Sequence, residues 1–344
     1  MPELTIVTAY GRSGGSARVR AYDWVDRLAV RAEEHPYLGT ADLGLTTLVR
    51  STREISRVER ALRRLTPAQG SLFLSRRASP FSRGALEARL LARAGWGVYD
   101  FDDALWVPNA GLRGSIFPLN EVWAAAVRAA DMVIAGNDYL ADRAAGLARN
   151  VEVIPSCVDP EWYEEKATYE LGDPPVAVWL GSPTTEIFLS VAREGLLEAH
   201  RRTGMRLRLM SRGNADLGEL DRMTDRVDWS LDAQRAVLAA ADLAIAPLGD
   251  NEFSRGKCAY KMLQYAAAGL PMVGSPVGAN ALALGRFDGI PAQSATDWAD
   301  ALTSIVSEPT SRRLARGRRA REAVWKYYSF QEWEHTWKTA VGIE

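Results

Sequence analysis

Lys257, Lys261 and Gln264 fall at i, i+4 and i+7 of one stretch, a spacing that gathers them on one face of an α-helix. Two ammonium groups near a helix N-terminus, together with its free backbone N–H groups, suit a diphosphate better than a neutral ligand. Gln264 lies a turn further on, where its amide can reach a hydroxyl such as that of a ribose. Lysines on a helix are ordinarily just solvated. Here they are scarce: Lys166, Lys257, Lys261, Lys326 and Lys338 are the only ones, and two of them share this face. Arg212 can hold two phosphate oxygens in fork geometry, although a surface arginine would look the same. The hydroxyls of Ser182 and Thr184 can bond an anion or cap a helix.

A βαβ unit must position the lysines. Leu243 to Pro247 reads as a strand and Gly249 to Ser254, with Asn251, as a polar loop. A helix then runs from about Arg255 to Ala268, and Gly269 stops it. Pro271 to Gly274 is the next strand, and the loop-to-helix junction of such a unit is where phosphates bind. Upstream, Val176 to Leu180 is a strand, Gly181 to Thr185 leads into a helix, and Arg206 to Met210 is a strand ending at Arg212. The first half alternates in the same way. Strands are read at Leu4–Ala9, Leu45–Val49, Ser71–Leu74, Gly97–Phe101, Asp131–Ala135 and Val151–Ile154, with helices at Ala17–Ala32, Arg53–Leu65 and Arg83–Arg93. The first turn holds Gly11, Gly14 and Gly15 without the full G-x-G-x-x-G spacing, so a dinucleotide site is a poor reading. The strand ending at Phe101 carries Asp100, Asp102, Asp103 and Trp106 at the edge that faces an active crevice. The loop from Ser75 to Phe81 is basic with one aromatic residue. It reads as a solvated rim, with an anionic acceptor or a membrane surface as the sharper alternatives.

The run Arg255-Gly-Lys-Cys-Ala-Tyr-Lys-Met-Leu-Gln-Tyr-Ala-Ala-Ala-Gly-Leu-Pro271 resembles the nucleotide-sugar segment of GT-B glycosyltransferases, close to the retaining family 4 type. That pattern ends Lys-Leu-Leu-Glu-Tyr-Met-Ala-Ala-Gly-Leu-Pro-Val-Val. Its Glu binds the donor ribose in the family, and Gln264 stands there here; an acidic residue eight positions earlier falls on Gly256. The resemblance covers most of the chain and is closest over 250–280. It implies an α/β, GT-B fold of two Rossmann-like domains facing each other across a cleft. Residues 1–155 would form the acceptor side, 156–175 a linker, and 176–325 the nucleotide-sugar domain. In 326–344 a helix would cross back to the first domain, burying the stripe of Phe330, Trp333 and Trp337.

The same resemblance implies a donor site of Gly14, Gly15, Ser182, Thr184, Arg212, Asn251, Lys257, Lys261 and Gln264, with Asp102 and Asp103 toward the acceptor. Lys257, Lys261 and Arg212 would stabilise the leaving diphosphate, and the sugar would be transferred with retention. Asp100-Phe101-Asp102 has the form of the metal motif of the other glycosyltransferase fold, GT-A. The lysine face already supplies that charge, so neither metal nor cofactor is expected. Family 4 enzymes often use a first-domain histidine; His35, His200 and His335 are read on helical surface patches, none in that place.

At 344 residues the chain is long enough for two domains, each with its own core. A net charge of -1 argues against a nucleic-acid binder, and Cys157 and Cys258 are too few for a disulfide framework or a zinc site. The apolar start is too short for a signal peptide, and no run of about 18 apolar residues is present, so the cytoplasm is the expected compartment. Heavy Ala and Arg usage suggests a GC-rich bacterial source. The expected activity is transfer of a sugar from a nucleoside diphosphate to an acceptor hydroxyl on a small molecule, a glycan or a lipid-linked sugar, with peripheral membrane contact as an option. A nucleotide-sugar epimerase of the same fold and a non-catalytic nucleotide-sugar-binding subunit are the alternatives.

Overall fold

A computed structural model describes residues 3–38, 51–67, 70–108 and 118–343. The chain divides into two compact units. The first comprises Met1–Ser156, Gly256–Cys258 and Trp333–Glu344, the second Cys157–Arg255 and Ala259–Glu332.

In the first unit a parallel sheet is formed by β1 (Leu4–Thr8), β2 (Ala32–Pro36), β3 (Ser71–Ser75), β4 (Trp96–Phe101), β5 (Met132–Ala135) and β6 (Val151–Val153), most of them apolar and β-branched runs. Their spatial order is β2-β1-β3-β4-β5-β6. The crossovers include α1 (15–28), α2 (Thr52–Arg64), α3 (Ala85–Arg93), α4 (Leu119–Ala129) and α5 (Asp138–Ala145). The middle turn of α1, Arg18–Tyr22, is π-helical. The strand expected at Leu45–Val49 lies outside the described residues. β2 was not anticipated, because Ala-Glu-Glu-His-Pro has no apolar run; among the described residues it pairs with β1. His35 therefore lies on a strand beside Glu33, not on a helix.

The second unit repeats the theme with β7 (Val176–Leu180), β8 (Arg206–Met210), β9 (Thr224–Val227), β10 (Leu243–Ala246), β11 (Met272–Gly274) and β12 (Ile290–Pro291). The order is β12-β11-β10-β7-β8-β9, parallel throughout. Among the described residues its helices are α6 (Arg193–Thr203), α7 (Leu231–Ala240), the short α8 (Glu252–Arg255), α9 (Tyr260–Ala267), α10 (Ala279–Arg286), α11 (Ala295–Ser307) and α12 (Thr310–Tyr328). Residues 157–175 belong to this unit: Val158 bridges to Ser329, and the Tyr169 hydroxyl donates to the Gly269 carbonyl at 2.8 Å. Gly269, with φ of 73°, ends α9 as its position after the helix demands.

The final helix, α13 (Phe330–Val341), carries the aromatic stripe. Its part from Trp333 onward belongs to the first unit, where Trp337 is buried and stacks on Trp24 at 5.1 Å between ring centroids. Trp96 Nε1 donates to the Ala340 carbonyl there, at 2.9 Å. Among the described residues no helix is long and apolar enough to cross a membrane.

Candidate functional site

An open parallel sheet binds ligands beyond the carboxyl ends of its strands, where the strand order reverses. In the second unit that point lies between β7 and β10. β7 runs into Gly181, Ser182 and the 3₁₀ turns of Pro183–Ala192. Ser182 N donates to Thr185 Oγ1 at 3.0 Å, and the hydroxyls of Ser182 and Thr184 lie 3.1 Å apart, so the turn presents a cluster of exposed hydroxyls. Lys261, on the first turn of α9, places its ammonium 3.4 Å from Thr185 Oγ1 and 4.6 Å above the Trp179 ring. This brings Lys261, Ser182 and Thr184 together as the sequence suggests, and adds two residues that were not singled out, Thr185 and Trp179. Thr185 belongs to the same turn and could have been named. Trp179 sits inside a buried strand, and nothing in its spacing shows that its ring reaches a lysine.

Arg212 lies just beyond β8 with its Nε donating to the Trp229 carbonyl at 3.0 Å and its guanidinium over the Trp229 ring at 5.4 Å. Trp229 Nε1 in turn donates to Gln234 Oε1 at 3.0 Å. Gln264 is 6% exposed, and its Nε2 donates to the Tyr163 hydroxyl at 3.2 Å. The amide expected to face a ribose is therefore engaged in a buried polar network. Asn251 caps α8: its Oδ1 accepts from Ser254 N at 2.8 Å.

Lys257 departs from expectation. The helix begins at Tyr260, after Ala259 in the left-handed region at φ 54°, so Lys257 does not share a helical face with Lys261 and Gln264. Three contacts hold it out of the helix. Gly256 packs on Ala104, where a Cβ would sit 2.7 Å from the Ala104 nitrogen. Asn137 Nδ2 donates to the carbonyls of Gly256 and Lys257 at 3.3 and 3.0 Å. Cys258 Sγ donates to the Asp102 carbonyl at 3.3 Å. Gly256 thus has no room for the acidic side chain that the family pattern carries at that position.

The order of the first sheet reverses between β1 and β3. The loop after β3 contains Arg76, whose φ of 65° is rare for a side-chain-bearing residue. Its backbone is fixed by a bond from Arg76 N to the Asp100 carbonyl at 2.9 Å and one from the Tyr99 hydroxyl to its own carbonyl at 2.9 Å. Its Nη1 reaches Asp102 at 3.0 Å and Asp103 at 2.8 Å, and Lys257 Nζ meets Asp103 at 2.7 Å. This loop is not the solvated rim that its composition suggested; it turns Arg76 inward. Burial works against the charges of both Asp103 and Arg76. Arg76 and Lys257 outweigh it for Asp103, whose carboxyl lies below the usual range, and Asp103 and Asp102 outweigh it for Arg76, which is held well above its ordinary value.

Asp100 is elsewhere occupied. Arg20 Nη2 meets its Oδ1 at 2.6 Å, both side chains being buried, and Ser75 Oγ donates to its Oδ2 at 3.3 Å. Burial lifts this carboxyl to about 6, against the pull of Arg20. The carboxylates of the Asp-x-Asp motif are thus each matched to a guanidinium. Among the described residues no three His, Cys, Asp or Glu side chains converge as metal ligands. In the turn after β1, Gly14 is needed for space, since a Cβ would meet that of Tyr10 at 2.5 Å, whereas Gly15 has nothing within 4 Å of that position.

No protein-family model matches the sequence, and no curated protein is significantly similar to it. Solved structures share the fold. Anabaena HepE in complex with UDP and glucose superposes with a TM-score of 0.67 at 13% identity, over 98% of this chain and 99% of that one. A complex of Staphylococcus aureus TarM with fondaparinux, α-GlcNAc-glycerol and UDP gives 0.59 at 12% identity, over 78% of this chain. The match spans about half of TarM, 55% of its length. The N-terminal domain of Candida albicans trehalose-6-phosphate phosphatase gives 0.61 at 10% identity, over 98% of this chain and 88% of that one. At such identities the likeness is one of fold: α/β, with the two Rossmann-like units of GT-B proteins.

Proposed function

We propose that the protein is a glycosyltransferase that moves a sugar from a nucleoside diphosphate to an acceptor hydroxyl, with retention and without a metal ion. The observation that carries this reading is the position of Lys261 at the β7/β10 switch point, among the hydroxyls of Ser182, Thr184 and Thr185. Cleavage of the bond between the anomeric carbon and the donor β-phosphate leaves charge on the diphosphate. Lys261, with Arg212 at the end of the neighbouring β8, would meet that charge electrostatically. The new bond forms from the acceptor oxygen, whose proton passes to the leaving phosphate, so no strong protein base is required. TarM and HepE, captured with UDP and with a sugar or glycoside, support this reading by analogy of fold alone. Lys257, Asp102 and Asp103 join the mechanism less directly, since they pair with one another and with Arg76.

A non-catalytic nucleotide-sugar-binding subunit is the second reading. It is favoured by Gly256, packed too closely for an acidic side chain, and by Gln264, turned into the Tyr163 network. Thermal-shift screening against UDP, GDP, ADP and TDP identifies the nucleotide, because a ligand of the native state raises the melting temperature. Incubation with the matching nucleotide sugars then decides. Sugar transfer or slow donor hydrolysis supports the proposal, binding without turnover supports the subunit, and an epimerised donor would point to an epimerase.

A further inference from the structure

We propose that Trp179 is a positioning residue: its indole face is the platform that fixes the ammonium of Lys261 at the β7/β10 switch point. This rests on the reading of Lys261 as a diphosphate-binding group. Trp179 is fully buried, and its ring lies against Gly181, where any Cβ would collide with the ring atoms. The Gly181 amide is held by the Met210 carbonyl at 3.0 Å, so the backbone under the ring is tied to the neighbouring β8. The ammonium of Lys261 stands 4.6 Å from the ring centroid, within the range of a cation–π contact, and Thr185 Oγ1 lies 3.4 Å from Nζ on another side. A lysine has four rotatable bonds and loses their freedom when it binds an anion. A ring and a hydroxyl that hold the ammonium in advance reduce that loss and aim the charge at the turn of Ser182 to Thr185. The face of an indole attracts a cation without neutralising it.

The test has two arms, one of which needs no ligand. Reductive ¹³C-methylation labels the five lysines, and Lys261→Arg assigns the resonance of Lys261. That resonance is expected upfield from the ring current of Trp179, and Trp179→Leu should return it to the position of a solvated lysine. An unshifted Lys261 signal in the native protein overturns the inference. The second arm is a double-mutant cycle read as affinity for the nucleoside diphosphate found by thermal shift. Trp179→Leu should weaken binding about tenfold, within the span of cation–π strengths, and Trp179→Phe should keep part of it. In a Lys261→Met background Trp179→Leu should cost little more. Equal losses in both backgrounds would show that Trp179 merely supports the core and would sink the proposal. If Lys261→Met binds as tightly as the native protein, it is the diphosphate role of Lys261 that fails, and the platform with its function falls with it, whatever the resonance shows. Gly181→Ala, which must push the ring aside, should move the Lys261 resonance in the same direction as Trp179→Leu.

Discussion

Lys261 sets its ammonium against an aromatic face and a hydroxyl, whereas Lys257 bonds a carboxylate, Asp103. The two lysines that look equivalent in the sequence should therefore respond differently to removal. Lys261→Ala is expected to slow sugar transfer by about 10²–10³-fold, the cost of one charge-stabilising donor in the transition state, with an unchanged melting temperature. Near-native turnover by this variant would remove Lys261 from the site. Asp103 is expected to act chiefly on stability. Its carboxyl is held below the usual range, so its contribution is present above the unfolded value, near 3.8, and is lost as the pH falls through the lower folded value. Asp103→Asn should lower the melting temperature at neutral pH, because it leaves Arg76 and Lys257 without their shared carboxylate. It should also flatten the fall in stability on acidification. Asp102→Asn, which removes a partner of Arg76 alone, should do less of both. A normal melting curve for Asp103→Asn together with lost transfer would instead restore Asp103 to the acceptor side.

The elements were legible where their periodicity is driven by burial. β1, β3, β4, β7 and β10 are largely apolar stretches inside their sheets, β8 alternates arginine with leucine, and the helices between them announce themselves by alternation. The polar strand β2 was not legible, because Ala-Glu-Glu-His-Pro carries no apolar run; among the described residues it pairs with β1. The start of α9 was misplaced for a different reason. Arg255 to Ala268 has helical periodicity, but packing of Gly256 on Ala104 and bonding of its carbonyl by Asn137 override it, and these are contacts distant in sequence. Arg76 was misjudged similarly, since composition cannot reveal a left-handed residue aimed at two aspartates in the loop after β4. Glycines make the distinction testable. Gly256→Ala should destabilise the protein by about 1–3 kcal/mol through overpacking on Ala104, while Gly15→Ala, facing open space, should melt within about 0.5 kcal/mol of the native protein. Chemical denaturation of both variants measures this, and equal stability would contradict the tight packing of Gly256.

At the scale of the whole molecule, the fold leaves the chemistry open. It is shared with HepE and TarM, and also with the N-terminal domain of a phosphatase, so the activity must be argued from the charges each sheet presents. In the second unit the groups offered to an anion at the strand ends are cationic or hydroxylic: Lys261, Arg212, Ser182, Thr184 and Thr185. In the first unit the aspartates at the end of β4 and just beyond it each answer an arginine, Asp100 to Arg20 and Asp102 and Asp103 to Arg76. A divalent ion recruited to Asp100 and Asp102 would have to displace two guanidinium groups, one of them buried, and leave both without their partners, a change that costs several kcal/mol where the pair is desolvated. Under the proposed function, basic side chains would do the work that a metal would otherwise do on a leaving diphosphate. The expectation is that sugar transfer proceeds at an undiminished rate in excess EDTA, and that added Mg²⁺ or Mn²⁺ does not raise it. Loss of turnover on chelation, restored by either ion and abolished by Asp102→Asn, would show that the aspartates exchange their arginines for a metal and would reverse the assignment.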